Sequence, residues 1–260
     1  MRMIHCTDTG SGTPVILIHA FANDGALWKP QGEAFGAAYR VIAPDLRGFG
    51  RSMPTDGKAV SMDRYADDVI ELMDHLGIGR AVVGGISLGG YVALSMALRH
   101  AARTSGLVLA NTRACADNPE WASFREALVR DIEQRGGRAV VENYGDKPFG
   151  SRCPEDIKAY VREMILRQSA TGLASGTRGM AQRPDRQPAL GSIRVPTLII
   201  SGTEDQYIPS SEGEAMHRAI AGSRFVDIPG AGHLSNIDSA PAFNAALQAF
   251  LEPIVREERS

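Results

Sequence analysis

The chain has little of what several protein classes require. It carries only three cysteines, Cys6, Cys115 and Cys153, widely separated and in no C-x-x-C pair. That argues against a disulfide framework or a cysteine zinc site and for reduced, buried thiols. Its longest apolar runs, such as Val15-Ile16-Leu17-Ile18, fall far short of the roughly 20 residues of a membrane span. Met1-Arg2-Met3-Ile4-His5 offers neither the apolar core nor the cleavage pattern of a signal peptide. Charge of neither sign dominates: 28 Lys and Arg stand against 30 Asp and Glu, a net charge of -2. No footprint for nucleic acid or an anionic membrane follows from that balance. No repeat or low-complexity stretch is visible. These absences set the expectation of a soluble, cytoplasmic protein with neither nucleic-acid nor membrane partners.

What is present is ordinary globular composition, 43% hydrophobic and 22% charged over 260 residues, enough for one large domain or two small ones. Short apolar runs without alternation at 14–19, 40–43, 80–83, 106–110, 195–200 and 224–228 read as buried strands, with a further short strand at 4–8. Helical spacing appears at 26–38, in the 62–76 series ending at Gly77, and at 88–100, 210–220 and 240–251. Strands alternating with helices predict a parallel α/β sheet covered on both faces. Between 113 and 190 the alternation stops and only helices are expected, the clearest at 155–168. Residues 256–260 are expected to be a solvated tail.

The chemistry centres on Gly85-Ile86-Ser87-Leu88-Gly89, a G-x-S-x-G pattern between an apolar strand and an apolar helix. A strand turning sharply into a helix pushes the residue at the turn outward, and flanking glycines let the two elements approach. A plain glycine-rich turn would look the same, so partners are required. A serine hydroxyl needs a base, and that base needs a carboxylate to orient it. In open parallel sheets such groups stand just after strands. His75, His100 and His217 fall in or near helices and His5 in the first strand, whereas His233 sits in Gly230-Ala231-Gly232-His233 after the 224–228 strand. After the 195–200 strand both Glu204 and Asp205 qualify. Asp205 is favoured because Gly202 and Pro209 frame a tight loop around it. Asp45 is expected to bond the backbone of its own turn. An oxyanion hole should use the N–H of Leu88 and a second N–H after the 14–19 strand, assigned to Phe21, with His19 bracing that loop.

The order Ser87, Asp205, His233 is that of α/β-hydrolases, and the whole chain resembles that superfamily. The resemblance rests on His19-Ala20-Phe21-Ala22, Asp45-Leu46-Arg47-Gly48-Phe49-Gly50-Arg51-Ser52, Gly85-Ile86-Ser87-Leu88-Gly89, Gly202-Thr203-Glu204-Asp205 and Gly230-Ala231-Gly232-His233. It implies an α/β-hydrolase fold: a mostly parallel central sheet, helices on both faces, and a helical cap inserted between strands 6 and 7. The core would be 1–112 with 191–260, and the cap 113–190. Leu109-Ala110-Asn111-Thr112, Ile193-Arg194-Val195-Pro196-Thr197-Leu198 and Gly232-His233-Leu234-Ser235-Asn236 are similar to segments of the 3-oxoadipate enol-lactonase-like and small carboxylesterase branch. Two departures stand out. Ala20 replaces a usual glycine, which would matter if φ > 0 were needed there. A serine nucleophile also disfavours the aspartate-dependent epoxide hydrolases and dehalogenases of this fold.

The expected function is a serine hydrolase acting on a small-molecule carboxylic ester or lactone through an acyl-enzyme, with no metal or cofactor needed. C–C bond hydrolases, perhydrolases and amidases share the triad, as do some ligand receptors. Trp121, Phe124, Tyr144, Phe149, Met164, Leu173 and Met180, with Leu234 beside His233, are the candidates for an apolar substrate pocket, although most also fit an ordinary cap core. Lys and Arg nearly balance Asp and Glu across 113–190, so no strong field is expected. Arg113 and Arg178 are the first candidates for a substrate carboxylate.

Overall fold

The computed structural model describes residues 4–259. Its strands are β1 (Cys6–Thr9), β2 (Pro14–Ile18), β3 (Arg40–Pro44), β4 (Ala81–Ile86), β5 (Thr104–Ala110), β6 (Thr197–Gly202) and β7 (Arg224–Ile228). They form one sheet in the order β1-β3-β2-β4-β5-β6-β7. Only β1 runs antiparallel, against β3; the remaining pairs are parallel. Every residue of β4 and β5 is buried, so apolar side chains serve both faces and no alternation survives in the sequence.

Three helices, α1 (Lys29–Phe35), α2 (Met62–His75) and α3 (Leu88–Arg99), connect the first five strands. Ser61 caps α2 by accepting the Arg64 N–H. The expected single helix over 26–38 instead opens with a 3-10 turn, Gly25–Trp28, capped by Asp24. Pro30 is the reason: without an N–H it is tolerated in an α-helix only in the first turn, so α1 begins at Lys29.

After β5 come four helices with no strand between them: α4 (Pro119–Arg135), α5 (Gly137–Tyr144), α6 (Glu155–Leu166) and α7 (Ala170–Ala181). The insertion expected between a sixth and seventh strand thus lies between the fifth and sixth of the strands described. Asn118 caps α4, with Pro119 in its first turn. The loops following β2 and β3 hold this segment in place: after β3 the Gly50 N–H donates to Gln168 (2.8 Å) and the Val60 N–H to the Ser175 carbonyl (3.3 Å), and after β2 Asp24 pairs with Arg167 (2.7 Å).

The chain closes with α8 (Ser210–Ala219), the short α9 (Ser235–Asp238) and α10 (Ala240–Arg259). α10 overruns the expected end at 251, and the tail expected at 256–260 is helical up to Arg259, with Ser260 outside the described residues. Pro253 does not break α10 because Arg224 donates to the Ala249 carbonyl (3.0 Å), the group left without its helical partner, while Phe250, Leu251 and Ile254 are buried. The three cysteines are free and partly buried rather than fully buried. Among the described residues no helix is long and apolar enough to cross a membrane.

Candidate active site

Ser87 joins β4 to α3 with φ 55° and ψ -115°, a left-handed conformation that is costly for a residue with a side chain. The surroundings enforce it. The Ser87 N–H donates to the Ala110 carbonyl (3.0 Å), and its own carbonyl accepts from Gly90 N–H, Tyr91 N–H and the Thr112 hydroxyl. A Cβ at Gly85 would stand 2.1 Å from the Gly89 carbonyl oxygen, and one at Gly89 would stand 2.0 Å from that of Ile18. Both glycines of the motif are therefore needed for strand and helix to come this close.

Asp205 and His233 follow β6 and β7. The His233 Nδ1–H donates to Asp205 Oδ2 (2.8 Å), so Nε2 is left as the basic nitrogen. Asp205 Oδ2 also accepts from Asn111 Nδ2 (3.0 Å), and Oδ1 accepts from the Tyr207 and Ile208 N–H groups (2.8 and 3.0 Å). Burial alone would push the Asp205 carboxyl up. The facing His233, with the Asn111 and Ile208 donors, outweighs burial and holds it below the usual carboxylate range. Glu204, the rival on position, is exposed to solvent at its carboxylate and bonds Ser151 instead.

In the loop after β2, His19 is fully buried. Its Nε2 accepts the Leu46 N–H (2.9 Å) and its Nδ1–H donates to the Ala20 carbonyl (2.8 Å), which fixes one neutral tautomer. Burial lowers its tendency to protonate, consistent with bracing rather than proton transfer. The positive φ in this loop falls at Ala22 (62°), not at Ala20, in a turn closed by the Asn23 N–H on the Ala20 carbonyl. Ala20 therefore meets no backbone demand for glycine. Phe21 lies on the wall of the cavity that holds Ser87 and His233. Leu88 is the first residue of α3, where helix geometry leaves the N–H without an internal partner. Asp45 accepts the Arg51 N–H of its own turn, but it also accepts the Gly25 N–H from the loop after β2 and bonds His5 Nδ1, so it ties three segments rather than its turn alone.

The cavity measures about 80 Å³. Of the expected pocket residues, Trp121, Tyr144, Met180 and Leu234 line it, while Phe149 and Leu173 do not. Leu173 shares the Met180 face of α7 but sits two turns away, about 10 Å along the axis. Phe149 is displaced by its neighbour: the Leu234 N–H donates to the Pro148 carbonyl, and Pro148 faces the cavity. Phe124 packs edge-on to Trp121 and tilted against Tyr144 without lining the cavity, and Met164 is in the core. Tyr91, Tyr207 and Arg125 line the cavity and were not anticipated. Tyr91, one helical turn beyond Ser87, and Tyr207, two residues beyond Asp205, could have been found by that spacing.

Arg113 lines the cavity as expected, but Arg178 turns away to Glu133 and the Gly57 carbonyl. The partner of Arg113 is Arg125. Asp117 is shared by three guanidiniums, Arg113 (3.1 Å), Arg125 (2.5 Å) and Arg183 (2.7 Å). All three arginines are less than 10% exposed: 8%, 5% and 6% respectively. Arg113 and Arg125 lie 5.4 and 5.8 Å from the Trp121 ring, and Arg183 lies 4.3 Å from that of Tyr91. Burial would raise the Asp117 carboxyl, yet the Arg125 hydrogen bond and the surrounding positive charges hold it low. One carboxylate cannot neutralise three guanidiniums, so this end of the cavity carries excess positive charge.

A model of the α/β-hydrolase fold family matches residues 13–240. Among curated proteins, 3-oxoadipate enol-lactonase 1 of Acinetobacter baylyi is 28% identical over 244 residues, covering 92% of this chain and 89% of that protein. Among solved structures, a thermophilic esterase from Thermogutta terrifontis, with malate bound, is 37% identical with a TM-score of 0.93, covering 96% and 93% of the two chains. The enol-lactonase from Burkholderia xenovorans LB400 is 30% identical with a TM-score of 0.86, covering 95% and 96%.

Proposed function

We propose that this chain, which belongs to the α/β-hydrolase fold family and is an enzyme of the hydrolase class, is a serine hydrolase that cleaves carboxylic esters or lactones through an acyl-enzyme. One observation carries the reading: a serine held at a strained turn shares its cavity with a histidine bonded to a buried carboxylate. Ser87 Oγ attacks the carbonyl carbon while His233 Nε2 takes its proton. The oxyanion accepts from the Phe21 and Leu88 N–H groups, a contribution typically worth about 10²–10³ in rate per donor. The tetrahedral adduct collapses, the C–O bond breaks, and the leaving alkoxide takes the proton from His233. In a lactone that hydroxyl stays tethered to the acyl group. Water, deprotonated by His233, then releases the acid and restores Ser87. Asp205 stabilises the imidazolium and fixes its tautomer. Residues 113–190 act as a cap over the sheet, closing the cavity with α4 to α7.

The preferred substrate carries an anionic group. Arg113 and Arg125 on the cavity wall, in excess over Asp117, favour a carboxylate on the acyl or alcohol part. Relatives support the same reading, since an enol-lactone of 3-oxoadipate keeps one free carboxylate after the other closes the ring, and the esterase structure holds malate, a dicarboxylate. Labelling with a fluorophosphonate tests the nucleophile: the account expects one adduct, on Ser87. Folded protein that turns over esters with Ser87 unlabelled would overturn it.

A further inference from the structure

Asn111 stands directly after β5 and has no part in the chemistry above. Its backbone is left-handed, with φ 43°, a conformation that asparagine tolerates better than other side-chain-bearing residues. The residue is buried, only 1% exposed. All of its amide groups are engaged: Nδ2 donates to Asp205 Oδ2 (3.0 Å) and to the Gly232 carbonyl (3.1 Å), and Oδ1 accepts from the Ser235 hydroxyl. The backbone N–H donates to the Ile200 carbonyl within β6 (2.8 Å). One residue after β5 thus ties together the loop that carries Asp205, the loop that carries His233, and the start of α9.

We propose that Asn111 is a positioning residue for the catalytic pair, its amide clamping the Asp205 loop to the His233 loop and sharing the carboxylate oxygen that His233 uses. The inference rests on the serine-hydrolase reading. The position demands two N–H donors, one acceptor and a left-handed backbone, and asparagine supplies all three. Aspartate would lose the donors and bring a second negative charge to Asp205. With Nδ2 present, Oδ2 divides its charge between two donors and the carboxylate is held against rotation. Without it, Oδ2 serves His233 alone, which favours the imidazolium and lets the carboxylate turn. Turnover should then fall, and a higher pH should be needed to free the base.

The titratable groups facing the pair are few. Tyr207 lies edge-on to the His233 ring at 5.3 Å, with Tyr144 behind it, and burial pushes both phenols up, so they stay neutral. Asp238, at the end of α9, accepts the Gly232 and Gly150 N–H groups, and burial pushes its carboxyl up.

The test is Asn111→Gly, which keeps the left-handed backbone cheap and deletes only the amide. The pH dependence of kcat/KM is recorded in the wild-type and Asp238→Asn backgrounds, so that titration of Asp238 is separated. The low-field proton resonance of the His233 Nδ1–H is followed alongside. The expected results are kcat down about 10- to 100-fold with KM little changed, and the acid limb displaced upward by about half a pH unit or more. The low-field resonance should weaken, and Asn111→Asp should move the acid limb further the same way. An unmoved acid limb and an unchanged resonance, with loss uniform across pH and tracking a lower Tm, would overturn the proposal and leave Asn111 a loop tie only. Absence of fluorophosphonate labelling in the wild type would instead strike the serine-hydrolase reading.

Discussion

At the sheet end of the cavity, each reactive side chain stands within a few residues of a strand's carboxyl end: Ser87 after β4, Asp205 after β6 and His233 after β7. One carboxylate faces one imidazole, and backbone turns set their geometry. On the opposite wall, Arg125 comes from α4 and Arg113 from the segment between β5 and α4; both pair with Asp117 and lie against the Trp121 ring, and Arg183 competes for the same carboxylate. Charge there is unequal, three guanidiniums to one carboxylate. On the proposed reading this is a division of labour: the ends of the strands supply the reacting groups, and residues 113–190 select what carries the scissile bond.

The comparison can be broken at either end. Ser87→Ala should lower kcat by about 10⁴-fold or more while the protein stays folded. Single-turnover assays on a neutral ester would check it, and retained turnover would move the chemistry away from the sheet end. Next in size is Asp117→Asn, which leaves three buried guanidiniums without their counter-charge and should cost roughly 3–5 kcal/mol at neutral pH, read by chemical denaturation. The pH dependence has a definite sign. The Asp117 carboxyl is lowered from the ordinary value of 3.8, so its contribution is complete above that value and is lost as pH falls through its lowered folded value. Wild type should therefore lose stability on acidification more steeply than Asp117→Asn.

Smaller, but more telling for selectivity, is Arg125→Met. It should reduce kcat/KM for an ester bearing a carboxylate by about 10- to 100-fold and leave a neutral isostere within about threefold. Equal losses on both substrates would mean that Arg125 only supports the fold. The smallest effect belongs to Arg178→Ala, with less than about a threefold change on either substrate, because this guanidinium bonds Glu133 and Gly57 outside the cavity. The contrast between Arg125 and Arg178 in one steady-state assay sharpens the assignment.

The two ends also differ in how far the sequence discloses them. Ser87, Asp205 and His233 could be read because each stands after a buried apolar strand, and two of them lie among glycines whose conformational freedom leaves a local signature. Arg125 could not, since membership of the cavity depends on which face α4 presents, and α4 has no clean apolar stripe. Averaged charge hid the cluster as well. Across 113–190, surface pairs such as Arg135 with Asp131 and Arg162 with Asp146 balance, and the imbalance is local to Asp117. Leu173 shows the complementary error, a residue on the right face but too far along its helix. Asn111 was visible as part of a familiar segment, yet its reach to two distant loops is a tertiary fact.

The most direct test of the division of labour is rapid quenching followed by intact-protein and peptide mass analysis, on two esters that differ only in a terminal carboxylate. The account predicts an acyl adduct on Ser87 with both, formed at least about tenfold faster at low concentration from the anionic ester, with that advantage lost in Arg125→Met. Hydrolysis without acyl-Ser87, or equal rates for the two esters in the wild-type protein, would contradict it.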